Sequence, residues 1–204
     1  MSVTAKDVKA LRDRTGAGMM DCKKALEETG NDLEAAIDLL RSRGEAKAAK
    51  RADKAANEGA IGHYIHHGGR IAVLVEMNCE TDFVANTDDF RDLARDVAMH
   101  VAATNPQAVS QDRIPADVVE RERQVYLEQV RNEGKPEHIQ EKIVEGKLRK
   151  FFEEATLLKQ PFVKDPDVTI EELITRISAK TGEKIEVARF VRYEVGEATN
   201  EAKD

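Results

Sequence analysis

The sequence predicts an α+β fold: a small three-helix unit, then a core of a three-stranded antiparallel sheet with helices on one face and a helical hairpin. Three observations predict it. Residues 1–44 hold three short stretches of helical character separated by glycine turns. Residues 60–78 hold two stretches rich in strand-forming residues around the turn His67-Gly68-Gly69-Arg70. Residues 185–195 alternate with period two, and this last strand must pair with the hairpin, because a lone strand leaves its backbone groups unsatisfied.

Thr4 is placed to cap a first helix from about Ala5 to Thr15, with Val8 and Leu11 on one face and Gly16 and Gly18 ending it. A second helix runs from about Met20 to Thr29 and stops at Gly30. Asn31-Asp32-Leu33-Glu34 reads as a capping box with Asn as the cap. Leu33, Ala36, Ile37 and Leu40 then share one face of the third helix. Residues 45–58, rich in Ala, Lys and Arg, read as a solvated helical linker.

In the second half of the hairpin, Ile71, Val73 and Val75 alternate with Ala72, Leu74 and Glu76, so at least one face is half buried. A helix from about Asp88 to Ala103 carries Phe90, Leu93, Ala94, Val97, Ala98 and Val101 at helical spacing, and Asn105-Pro106 ends it. Pro115 opens a charged helix to about Asn132, which Gly134 stops; Pro136 opens another to about Leu158. Pro161 and Pro166 bracket a loop, and Thr169-Ile170-Glu171-Glu172 caps a helix that ends at Gly182. In the last strand Ile185, Val187, Val191, Tyr193 and Val195 alternate, with Arg189 interrupting the apolar face. The division expected is 1–44, a linker at 45–58, a core at 59–197 and a frayed tail at 198–204.

The 204 residues are 41% hydrophobic and 35% charged. No run of about 18 apolar residues would span a membrane, and the N-terminus has no apolar secretory segment, so a cytoplasmic protein is expected. A net charge of -7 argues against a general nucleic-acid binder. The charge is uneven: Met1–Lys54 holds 12 basic and 10 acidic residues, and the remainder 20 and 29.

No phosphate-binding glycine loop is present, so no bound nucleotide or cofactor is expected. His63 and His67 share a strand face but lie ~13 Å apart, and His66 faces the other way, so a metal site is not expected. Cys22 and Cys79 fit neither a zinc pattern nor a disulfide framework. Lys23 and Lys24 beside Cys22 would lower its pKa, but no catalytic partner is evident.

Thr81-Asp82-Phe83-Val84-Ala85-Asn86 sits between a strand and a helix. Thr81 or Asp82 can cap a short helix while Phe83 plugs the core; alternatively, an acid beside a large aromatic at an exposed corner makes a wedge. Thr15-Gly16-Ala17-Gly18-Met19-Met20 has a similar double reading, as core filler or as an adaptable protein-binding surface.

Leu11 to Leu26 (LRDRTGAGMMDCKKAL) resembles the N-terminal signature of the elongation factor Ts family. Glu80 to Asn86 resembles its second signature, and Gln160-Pro161-Phe162-Val163 and Arg189 to Gly196 are similar to later segments of the family, in family order. The resemblance implies a ubiquitin-associated-like N-terminal domain and a partner, the GTPase elongation factor Tu. It implies exchange of the partner's guanine nucleotide, with no enzymatic chemistry. Carried onto this sequence, the contact residues are Arg12, Met19, Met20 and Lys23 in the first signature, and Thr81, Asp82, Phe83 and Val84 in the second. Asn86 stands where the family pattern often has Arg. The single hairpin and single last strand resemble the short members of the family, which implies a homodimer with 59–197 as its dimerisation domain. Two other functions fit parts of the sequence: an adaptor whose helical unit reads small domains, and an enzyme using the histidines or Cys22.

Overall fold

The computed structural model describes residues 3–197; the tail expected at 198–204 lies outside the described residues. Among the described residues, eight α-helices and five strands form an α+β fold. Helices α1 (Ala5–Thr15), α2 (Met19–Glu28) and α3 (Leu33–Ala49) make the N-terminal bundle. Thr4 and Asp7 close a full capping box on α1, and Gly16 ends it with a φ of 67°. The cap of α3 is Asp32, one residue later than expected: its carboxylate accepts from the Ala35 N–H, and Asn31 instead takes a positive φ of 69° to make the turn. Val8, Leu11, Cys22, Ala25, Leu26 and Ala36 form the small core of this bundle.

Helix α3 does not stop near residue 44. It continues to Ala49 and packs along α8 (Ile170–Thr181), with Gly44 facing Ala179 and Arg41 paired with Glu172. Small residues at the contact, rather than an apolar stripe, let the two helices approach. Turns follow α3 over residues 50–53, and an irregular stretch leads to β1 at Glu58.

Strands β1 (Glu58–Ile65), β2 (Ile71–Cys79) and β5 (Ile185–Glu194) form one antiparallel sheet with β2 in the centre. Val73, Val75, Met77 and Cys79 point to one face, which α5 (Asp88–Thr104) and α8 cover. Gly62 crosses α5 so closely that a Cβ there would lie 2.3 Å from the Ala94 carbonyl oxygen. Phe90, Val97 and Val101 of α5 and Ile170 of α8 are fully buried in this large core.

The expected alternation of the last strand breaks at a β-bulge. Glu76 opposes Arg189 but Met77 opposes Val187, so Ala188 is the extra residue. Its carbonyl accepts from the Arg113 guanidinium. Ile185 and Val187 therefore face the core, whereas Val191 and Tyr193 turn to the opposite face. There they join Ile61, Ile65 and Leu74, all at least 39% exposed.

Helices α6 (Ala116–Asn132) and α7 (Glu137–Ala155) form the antiparallel hairpin, closed by Val130, Val144 and Leu148. Its base joins the core where the Leu157 N–H donates to the Ala108 carbonyl at 2.9 Å. The stretch between Pro161 and Pro166 is not a plain loop: β3 (Pro161–Phe162) and β4 (Asp165–Thr169) pair there. Both are too short for alternation to reveal them. No helix among the described residues is long and apolar enough to cross a membrane.

Candidate functional site

The corner between β2 and α5 is built on a very short helix, α4 (Asp82–Ala85). Thr81 caps it, with its hydroxyl accepting from the Val84 N–H. Val84 and Ala85 turn inward to the large core, and the turn leaves Asp82 and Phe83 outside. Phe83 is 78% exposed, so it does not plug the core. Val84, expected among the contact residues, is buried at 4% exposure and has no side-chain surface to offer a partner. Asn86 closes the turn: its amide donates to the Asp82 carbonyl at 2.8 Å and its oxygen accepts from Arg91 at 2.8 Å.

The same corner is held from two other elements. The Arg51 guanidinium donates to both carboxylate oxygens of Glu80, at 2.7 and 2.8 Å. The Lys184 backbone N–H donates to Glu80 Oε1 at 2.7 Å. These two contacts hold the Glu80 carboxyl down at about 2. Thr81 donates its backbone N–H and its hydroxyl to the Glu183 carboxylate, at 3.0 and 2.7 Å.

The second surface lies at the start of α2. Met19 and Met20 are 50% and 63% exposed, so neither is core filler. Gly18 precedes them and makes no side-chain cap. Arg12 on α1 and Lys23 on α2 are exposed too, and Lys23 pairs loosely with Glu27 at 3.7 Å.

A family model described as Elongation factor TS matches residues 4–197. The chain belongs to the elongation factor Ts family. It is 55% identical over 202 residues to "Elongation factor Ts" of Desulforamulus reducens, covering 99% of this chain and 93% of that one. It is 56% identical to the protein of the same name from Moorella thermoacetica, covering 99% and 100%, and 58% identical to that of Syntrophobacter fumaroxidans, covering 96% and 98%. Family membership gives the chain a role in translation elongation. Both signatures lie inside the matched span of elongation factor Ts, and both carry the exposed apolar side chains described above.

The thiols are environments of a different kind. Cys22 and Cys79 are free and fully buried, and burial pushes both above the ordinary thiol value. The lowering expected from Lys23 and Lys24 at Cys22 does not occur, because the thiol points into the bundle beside Thr15 and the Ala17 carbonyl. Sequence reasoning missed Arg51 and Glu183. They lie 29 and 102 residues from their partners, beyond any local pattern.

Proposed function

We propose that the chain is a guanine-nucleotide exchange factor for elongation factor Tu. It binds the GDP-loaded GTPase, disturbs its magnesium and phosphate sites, and promotes GDP release. One observation supports this above the others: Asp82 and Phe83 stand exposed side by side on a corner that hydrogen bonds hold from two other elements. An aromatic ring so exposed on a fixed corner supplies binding area. The carboxylate beside it repels phosphate or competes for the ligands of a cation. Loss of magnesium removes a major neutraliser of phosphate charge, so GDP affinity falls.

The action is coupling, not covalent chemistry, and the chain is in this reading not an enzyme. If it weakens GDP binding by some ratio, GDP weakens its binding by the same ratio. It therefore grips the partner best when the nucleotide has left, and incoming GTP displaces it. It works where elongation takes place, in the cytoplasm.

The test is release of a fluorescent GDP analogue from elongation factor Tu with catalytic amounts of this protein. Acceleration with turnover is expected. A stable complex without acceleration would make the chain an adaptor instead.

The reading includes a homodimer, with a second copy on the open face of the sheet. An antiparallel sheet that faces water usually carries polar residues there. This face carries Ile61, Ile65, Leu74, Val191 and Tyr193. Two such faces stack at a spacing of roughly 10 Å. Leu74→Glu with Val191→Glu should give a folded monomer by light scattering; a wild-type chain already monomeric at micromolar concentration would refute the dimer.

A further inference from the structure

We infer that Arg51, Glu80 and Glu183 form a latch that positions the Asp82–Phe83 corner and ties it to the N-terminal bundle. The inference rests on the exchange reading of that corner. Helix α4 is only four residues long. A helix of one turn has no stability of its own, because its nucleation cost is never repaid. Its direction is therefore set by what holds its first residues.

Those holds come from distant parts of the chain. Arg51 follows α3 by two residues, so it belongs to the exit of the N-terminal bundle. Its two-pronged grip on Glu80 fixes both distance and plane, which a single contact does not. Glu183 and Lys184 come from the turn between α8 and β5, where Gly182 takes a φ of 76°. The Ser178 hydroxyl, at the end of α8, donates to the Glu183 carbonyl and fixes that turn. The Lys184 ammonium reaches back to the Lys54 carbonyl at 3.2 Å, which pins the exit of the bundle a second time. Glu80 and Thr81 thus sit between the two elements, each bound to a carboxylate or guanidinium from outside the corner.

Surface ion pairs contribute little to overall stability. A contact made at the one point where a single-turn helix begins acts instead on orientation. The corner and the methionine surface must meet one partner together. The latch keeps the corner in a fixed relation to the bundle that carries Met19 and Met20. Arg51 and Glu183 are then positioning residues: they touch the corner, and the corner touches the partner.

Two measurements test this on the full chain. In the free protein, Arg51→Gln and, separately, Glu183→Gln should speed amide hydrogen exchange at Val84, Ala85 and Asn86 by about tenfold or more. Amides of the α6–α7 hairpin should be unchanged in the same samples. Unchanged rates at the corner, or equal acceleration everywhere, would overturn the latch and leave the exchange reading intact.

The second measurement is nucleotide exchange on elongation factor Tu carrying a fluorescent GDP analogue. Arg51→Gln should lower the saturating rate by about tenfold to a hundredfold, the loss expected when a contact group is displaced by an ångström. The half-saturating concentration should move far less. Arg51→Lys should restore only part of the rate, because an ammonium lacks the fork. In an Asp82→Ala, Phe83→Ala background, Arg51→Gln should have no further effect. The same proportional loss in both backgrounds would mean an independent structural role and would overturn the latch. If the Asp82→Ala, Phe83→Ala protein exchanges at the wild-type rate, the exchange role of that corner falls, while the hydrogen-exchange arm still judges the latch.

Discussion

The two exposed surfaces are built in opposite ways. Met19 and Met20 stand on unbranched, flexible side chains at a helix start without a side-chain cap, above a bundle whose core is six small or medium side chains. Asp82 and Phe83 stand on a capped turn, above the large core under the sheet, with Glu80 and Thr81 gripped from two directions. Adaptable methionines suit affinity for a surface that changes shape. A fixed acid and ring suit a task that depends on placement. Under the proposed function, the contrast assigns binding and nucleotide release to different parts of the molecule.

The comparison breaks most visibly at the corner. Asp82→Ala with Phe83→Ala should lower the exchange rate on the order of a hundredfold. The melting temperature should hardly move, because exposed residues contribute within about 0.5 kcal/mol. Loss of the folded state would instead make the pair structural. Met19→Ala with Met20→Ala comes next: affinity for the partner should fall about tenfold, as when one anchor of an interface is truncated. An unchanged dissociation constant by calorimetry would remove the methionines from the interface.

Thr81→Ala should cost about 1 kcal/mol of local order through the lost cap. Exchange should slow several-fold, and hydrogen exchange at Val84 should rise. No change in either would leave Glu80 as the sufficient hold.

The smallest effect separates the two regions by pH. His100 is buried in the core; its Nδ1 accepts from the Val163 N–H at 3.3 Å, so Nε2 carries the proton donated to Gln160 at 2.9 Å. Burial holds its pKa below the ordinary value. The unfolded imidazole then takes a proton that the folded one resists. Stability from this group is complete above about pH 6.5 and is lost as pH falls below it. Residues 1–44 contain no histidine. Between pH 7 and pH 5, hydrogen exchange corrected for its intrinsic pH dependence should show the core loosening while the bundle does not. Equal loosening of both would contradict this.

Local signals made much of this molecule legible. Thr4, and Thr169 with Glu172, marked two helix starts because a cap is written in a few consecutive residues. The period of α5 exposed its buried face, and the flanking strand and helix placed the corner. The bulge at Ala188 was hidden: one inserted residue reverses the faces of everything after it, and only the partner strand reveals it. The docking of α3 on α8 rests on Gly44 and Ala179, which carry no apolar signal. Val84 was carried onto the contact surface with the rest of the second signature, whereas the short helix sends it and Phe83 to opposite sides.

The most direct test titrates each pair of alanine variants against elongation factor Tu loaded with a fluorescent GDP analogue, reading the saturating rate and the half-saturating concentration separately. The account predicts that the Asp82, Phe83 variant loses rate at saturation while keeping its half-saturation point, and that the Met19, Met20 variant does the reverse. If both variants shift the same parameter by the same factor, the two surfaces do one job and the division proposed between them is wrong.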